Sequence, residues 1–244
     1  MNLNYFMLKI RKSLRSSDDD PIIWNVCSPY LQGRTGKLLD AGCGCGNNLA
    51  KLMERPRPQL DIFGIDIFAP SLRCAAQRFA GQKCWFVQAD ACFLPFKQET
   101  FHTVISNQVI EHLANYEAYV SELNRVLVPG GMCLITTPNL KRPINIIRRH
   151  ILRKPYQLRW QNWRGIPDEE YRGHRQEFTE EGLKNLMERH GLKVITIDGI
   201  YPKLSMKSSL LKIAYDTGIF AFWLACRLFK KSTSQDIVMV GRKS

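Results

Sequence analysis

The stretch Lys37-Leu38-Leu39-Asp40-Ala41-Gly42-Cys43-Gly44-Cys45-Gly46-Asn47 limits what this chain can fold into more than any other. It reads as a short apolar strand ending at Asp40, a turn with glycine at every second position, and a helix opening near Asn48. Glycine lets such a turn reverse tightly and lets a ligand approach the backbone with no Cβ in the way. The helix that follows presents unbonded N–H groups and the positive end of its dipole. A nucleotide-like cofactor is the natural occupant. Spacing narrows the choice. A dinucleotide turn needs G-x-G-x-x-G, and counting from Gly42 puts Asn47 in the place of the third glycine. A Walker A loop needs Lys followed by Ser or Thr, and Gly46 is followed by Asn47 and Asn48.

The next apolar run, Asp61-Ile62-Phe63-Gly64-Ile65-Asp66-Ile67, is β-branched and carries an acid at its end. Asp66 lies about 20 residues beyond the turn, where a nucleotide-binding βαβ unit places the carboxylate that accepts from ribose hydroxyls. Its competing role is to cap a helix starting near Pro70. Strands are expected at 37–40, 61–66, 84–88, 102–107 and 131–137, with helices at 47–54, 70–80 and 111–127. Such alternation implies a parallel sheet with helices on both faces. Asp40, Asp66, Asp90 and Asn107 all fall at carboxyl ends of strands, where open α/β sheets bind their ligands.

Further residues carry a family signal. Phe86-Val87-Gln88-Ala89-Asp90-Ala91 ends strand three in an acid, and Leu94-Pro95-Phe96 follows it. After these come Phe101-His102-Thr103-Val104-Ile105-Ser106-Asn107, Glu111-His112-Leu113, and Leu127-Val128-Pro129-Gly130-Gly131-Met132-Cys133-Leu134-Ile135. With the D-x-G-x-G-x-G turn, this set resembles the class I S-adenosylmethionine (SAM)-dependent methyltransferases of the ubiquinone/menaquinone, methyltransferase-11-like type. The resemblance is close over residues 35–140 and looser over 174–198. It implies a Rossmann-like seven-stranded sheet, parallel with one antiparallel strand, in which strands six (193–198) and seven (236–241) pair. It implies SAM as cofactor, with the glycine turn cradling the amino-acid end and Asp90 accepting from the adenine amino group. The cofactor-binding set is then Asp40, Gly42, Gly44, Gly46, Asp66, Ile67, Asp90, Ala91 and Asn107. Relatives usually carry Asp at His102, which reads here as a strand-edge substitution.

After strand five Lys141, Arg142, Arg148, Arg149, Arg153, Lys154, Arg159 and Arg164 interleave with Tyr156, Trp160 and Trp163. This basic insert, 141–178, ends in His174-Arg175-Gln176-Glu177-Phe178-Thr179, which resembles the H-x-x-E-F-T stretch of ubiquinone-type and cell-envelope methyltransferases. In those proteins the insert caps the substrate pocket and its histidine approaches the transfer site. A second apolar stretch, 205–231, is interrupted by Lys212, Asp216 and Arg227 and flanked by lysines. It suits either a helix lying in an anionic membrane interface or a lid over an apolar pocket. One domain accommodates all of this within 244 residues. Eight cysteines without a C-x-x-C pair, and no visible secretory signal, point to a reducing cytosol and to neither zinc nor disulfides. The expectation is a cytoplasmic protein with no metal site, with contact to a membrane surface left open.

Methyl transfer asks mainly for alignment and exclusion of water. An oxygen nucleophile also gains from a base with a pKa near working pH, which histidine supplies. His174 and His112 are the candidates, each with a structural role as the competing reading. The net charge of +13 and the arginine–aromatic insert would also suit a nucleic-acid methyltransferase. Asn107-Gln108-Val109-Ile110 argues against it. That exit lacks the N/D-P-P-Y-like clamp used on base amino groups, the Pro-Cys nucleophile used on cytosine carbon, and the lysine of many ribose methyltransferases. A SAM-binding protein without catalysis is a third reading. The sequence favours O-methylation of a small or lipid-linked acceptor.

Overall fold

The computed structural model describes residues 29–31, 33–53, 60–142, 145–146, 174–200, 234 and 236–244. Most of the basic insert and the 205–231 stretch lie outside the described residues.

Alternating elements form as the apolar periodicity demands. Strand β1 (Gly36–Ala41) is followed by α1 (Asn47–Met53), β2 (Leu60–Asp66), α2 (Ala69–Arg78), β3 (Cys84–Gln88) and β4 (Phe101–Asn107). A single 3-10 turn (Ile110–His112), α3 (Tyr116–Val126), β5 (Leu127–Pro138), α4 (Glu180–Arg189), β6 (Leu192–Ile200) and β7 (Asp236–Lys243) complete the order. The seven strands lie β3-β2-β1-β4-β5-β7-β6. Neighbours are parallel from β3 through β5, whereas β7 runs antiparallel to both β5 and β6. The sheet expected from the family resemblance is the one observed.

Neighbouring residues along the central strands divide between two cores, as a period of two requires. Leu39, Ala41, Val104, Cys133, Ile135 and Met239 pack with Tyr119, Leu123 and Leu183 from α3 and α4. Leu38, Ile62, Ile105, Leu134, Val238 and Val240 pack on the opposite face with Leu49, Leu72 and Phe79. Both faces are thereby covered, which leaves the strand ends as the place where polar side chains can meet a ligand.

Two boundaries differ from the sequence reading, and both matter for the site. The helix expected from 111 starts only at Tyr116, because the Asn115 side chain accepts from the Ala118 N–H at 3.1 Å and caps it there. Glu111 and His112 therefore stand on a separate turn, free of the helix axis. Strand β5 begins at Leu127 rather than 131, and its register against β4 jumps between Phe101 and Thr103. Gly130, at φ 72°, absorbs the extra residues. His102 is a strand-edge residue, as read: its Nδ1 accepts from the Lys37 N–H at 3.2 Å.

Candidate active site

The glycine turn is built by three residues at positive φ, Gly42 (88°), Gly44 (52°) and Gly46 (75°). Gly42 and Cys43 donate their N–H groups to the Ile65 carbonyl at 2.9 and 2.8 Å, which fastens the turn to the end of β2. The three glycines serve different ends. A Cβ on Gly42 would lie 2.4 Å from Val109 Cγ2, and one on Gly46 would lie 2.5 Å from the Phe79 ring. A Cβ on Gly44 would meet nothing within 4 Å. Gly42 and Gly46 thus admit neighbours of the protein itself, and Gly44 faces the space a ligand would fill.

Asp66 holds that turn. Its carboxylate accepts from the Gly44 N–H and from the Phe68 N–H, both at 2.9 Å. Each oxygen keeps a lone pair for a further donor. No side chain caps α2, so the competing capping role falls away in its usual form. Ile67 beside it leaves 43% of its surface exposed, and Phe93, beyond β3, leaves 73%. Asp90 is exposed and accepts from the Cys92 N–H at 2.8 Å, with Ala91 buried next to it. Two acids and two bare apolar side chains thus mark the ends of β2 and β3. Phe93 was not singled out by sequence reasoning, and a phenylalanine after a strand end carries no signal by itself.

Asp40 is different in kind. It is fully buried, and neither carboxylate oxygen has a hydrogen-bond partner among the described residues. Desolvation first, and the nearby Asp66 charge second, push its pKa up to about 8. A buried carboxylate without a partner is costly unless a cationic group comes to it. These residues fit SAM: an open glycine, a ribose-type acid and an unpaired buried carboxylate suit a ligand with sugar hydroxyls and positive charge.

The exit of β4 forms the other wall. Asn107 accepts from Thr136 Oγ1 at 2.5 Å and reaches Asn48 Oδ1 at 3.4 Å, tying β4 to β5 and α1. Gln108 then adopts φ 56°, a left-handed conformation uncommon for a residue with a Cβ. This held strain aims the chain so that Val109 reaches Gly42, and the turn carrying Glu111 and His112 follows.

Onto this turn the end of the basic insert folds back. Arg175 N–H donates to the Glu111 carbonyl at 2.8 Å, and Gln176 Nε2 donates to the Ile110 and Leu113 carbonyls at 3.3 and 3.1 Å. His174 is thereby brought to His112, with ring centroids 5.0 Å apart at an interplanar angle of 84°. The two histidines picked out from the sequence belong to one cluster. Its third member, Glu111, was quoted in the family motif but given no role in binding or catalysis.

Glu111 is fully buried. Its Oε2 accepts from Thr137 Oγ1 at 3.0 Å, while Oε1 has no partner among the described residues. Burial is the largest cause that raises its pKa to about 8, and the charges of Asp236 and Glu177 add to it. Behind His174, Glu177 Oε1 lies 3.3 Å from Nδ1 and accepts from Arg142 at 2.8 Å, and Oε2 accepts from Asn145 at 3.2 Å. Burial alone would raise the Glu177 carboxyl, but the hydrogen bond with His174 and the Arg142 guanidinium outweigh it and hold it low. Arg142, read from the sequence as part of a charged substrate-side insert, is buried in this ion pair. The H-x-x-E spacing was the one signal that could have exposed Glu177; Gln108 had none.

A family model described as a methyltransferase domain matches residues 22–197. The ubiquinone/menaquinone biosynthesis C-methyltransferase UbiE of Desulfotalea psychrophila is 37% identical over 111 residues, 45% of this chain and 45% of that one. A demethylmenaquinone methyltransferase of Thermus thermophilus is 35% identical over 108 residues, 43% of this chain and 48% of that one. The chain thus spans about half the length of the curated relatives it matches. In fold it is similar to a SAM-dependent methyltransferase from Mesorhizobium loti, with a TM-score of 0.61, 17% identity, and 92% of this chain and 99% of that one covered. Among the described residues no helix is long and apolar enough to cross a membrane.

Proposed function

From the premise that the chain belongs to the class I SAM-dependent methyltransferases, we propose that it methylates a hydroxylated acceptor, small or lipid-linked, at oxygen. The observation that carries the reading is the joining of two half-sites. Val109 packs at Gly42 of the cofactor turn, and three residues later the same backbone presents His112 to His174.

SAM, when bound, supplies a methyl group on a sulfonium sulfur that departs as a neutral thioether. This chain's residues bind and align. Gly44 and Asp66 would hold the amino-acid and ribose parts, Ile67, Asp90 and Ala91 the adenine, and Asp40 would face the cationic end. Asn107, fixed by Thr136 and Asn48, would set the floor between cofactor and acceptor. His112, half-buried, is the more accessible histidine and would take the acceptor's hydroxyl proton. His174 stands behind it, with Nδ1 turned to Glu177. An aryl hydroxyl is the acceptor such a base serves best, since its pKa near 10 leaves a modest gap for histidine to bridge.

The curated relatives named for quinone biosynthesis support a quinol-like acceptor. One of them is named as a C-methyltransferase, and loss of the aryl proton would also precede transfer to ring carbon. The test is a transfer assay with isotopically labelled SAM and a panel of hydroxylated aromatics, presented free and in lipid vesicles. NMR of the product separates O-methyl from C-methyl. Transfer to a phenol or quinol that falls in H112A and H174A supports the reading. SAM binding by calorimetry with no transfer to any hydroxylated acceptor would overturn it.

A further inference from the structure

We propose that Glu111, His112 and His174 form a binding site for one divalent transition cation of the zinc or iron(II) class, open toward the acceptor. One ligand atom from each residue can be chosen so that all three lie within 4.8 Å of one another. Ligands about 2.0–2.2 Å from a zinc ion stand roughly 3.3 Å apart, so the three need only draw together by about an ångström or less each. Three protein ligands with positions left open is the donor count of catalytic rather than structural sites.

The second observation is how the ligands are prepared. Glu111 has Oε2 engaged by Thr137 and keeps Oε1 buried and, among the described residues, without a partner. His174 has Nδ1 3.3 Å from Glu177 Oε1, and an Nδ1–H donated there would leave Nε2 to offer its lone pair to a cation. A carboxylate behind a histidine is the usual support of a metal-bound imidazole. Glu177 is in turn clamped by Arg142 and Asn145, so the support is itself rigid. Glu111, Glu177 and Asp236 bring three carboxylates near one point, faced by the Arg142 guanidinium that pairs with Glu177. A cation arriving there displaces the Glu111 proton and meets the Glu177 and Asp236 carboxylates nearby. His112, half-buried, gives the entry. The absence of any C-x-x-C pair bears only on cysteine sites, and this donor set joins residues distant in sequence.

The function of such a cation rests on the reading of this cluster as the acceptor end; its binding does not. A cation there selects acceptors with oxygen donors, such as a catechol or a keto–enol pair, that can fill its open positions. Both histidines would then orient the acceptor through the metal.

The test uses the full chain, stripped with chelator and titrated with Co2+ in the absence of SAM and acceptor. The expected result is one Co2+ per chain with visible d–d bands of low coordination number, displaced by Zn2+, and no sulfur-to-cobalt charge transfer. E111Q and H174Q should weaken Co2+ by at least 100-fold. E177Q, which touches no metal, should weaken it by about 10–100-fold. SAM affinity, measured in parallel, shows that each variant is folded. Equal Co2+ affinity in wild type and all three variants, or binding only through thiolates, would overturn the proposal. Cation binding that fails while labelled SAM still transfers methyl would overturn the metal site alone and leave a histidine base. Cation binding in a protein that transfers to no hydroxylated acceptor would uphold the site and overturn the proposed acceptor.

Discussion

Two buried carboxyls should make the stability of the ligand-free protein fall as pH rises, over a range where most proteins are flat. Asp40 and Glu111 both have folded-state pKa values near 8, against ordinary values of 3.8 and 4.5. A carboxyl raised on folding contributes stability that is complete below its unfolded pKa and lost as pH rises through its folded pKa. Between pH 5.5 and 7 the unfolded chain has released both protons and the folded chain retains both. Two protons at about 1.4 kcal/mol per pH unit each give a slope of about −2.7 kcal/mol per unit. For a chain of this size that is a fall in Tm of about 5–10 °C per pH unit. Glu117, Glu122 and Glu177 are shifted the other way, and their contribution is complete above about pH 4.5. Those three groups therefore add no slope within the window, and the D40N and E111Q variants isolate the two raised ones. Chemical denaturation at pH 5.5, 6.25 and 7, in chelator and without SAM, reads the slope directly. D40N and E111Q should each remove about half of it. SAM should flatten the Asp40 half and a bound cation the Glu111 half. A wild-type slope of zero or positive sign would refute the reasoning.

Three further outcomes follow from the geometry. Asp66→Ala should weaken SAM by about 10–150-fold in calorimetry, the loss of a charge-assisted hydrogen bond worth roughly 1.5–3 kcal/mol; the freed Gly44 N–H adds in the same direction, and unchanged affinity would remove Asp66 from the site. Gly46→Ala places a Cβ 2.5 Å from the Phe79 ring at φ 75° and should destabilise by about 1–3 kcal/mol, read as a lowered denaturant midpoint. His112→Ala should lower turnover by about 100-fold or more, and His174→Ala should lower it too while SAM affinity stays within a few-fold; normal turnover in His174→Ala would take His174 out of the mechanism.

Much of this protein could be read from local pattern. The apolar runs fix strands because alternation and β-branching act within a few residues. The glycine turn and Asp66 belong to one βαβ unit, so their roles travel with a short segment of chain. The family motifs brought His112 and His174 forward as candidates for the same reason.

What pattern could not say is what a side chain meets when distant segments fold together. Glu111 looked like part of a helix; the Asn115 cap set it on its own turn, and Thr137 from β5 and the returning insert buried it. Arg142 read as part of the basic substrate-side insert and is consumed by Glu177. Asp40 was legible as a strand-end acid, but its lack of a donor among the described residues depends on the packing around it. The sequence by itself determined the sheet, the cofactor turn and the family, because those rest on short-range periodicity and backbone freedom. Only the tertiary structure decided that Glu111, His112 and His174 meet and that burial raises the pKa of two carboxyls. Both depend on desolvation and charge supplied by elements far along the chain.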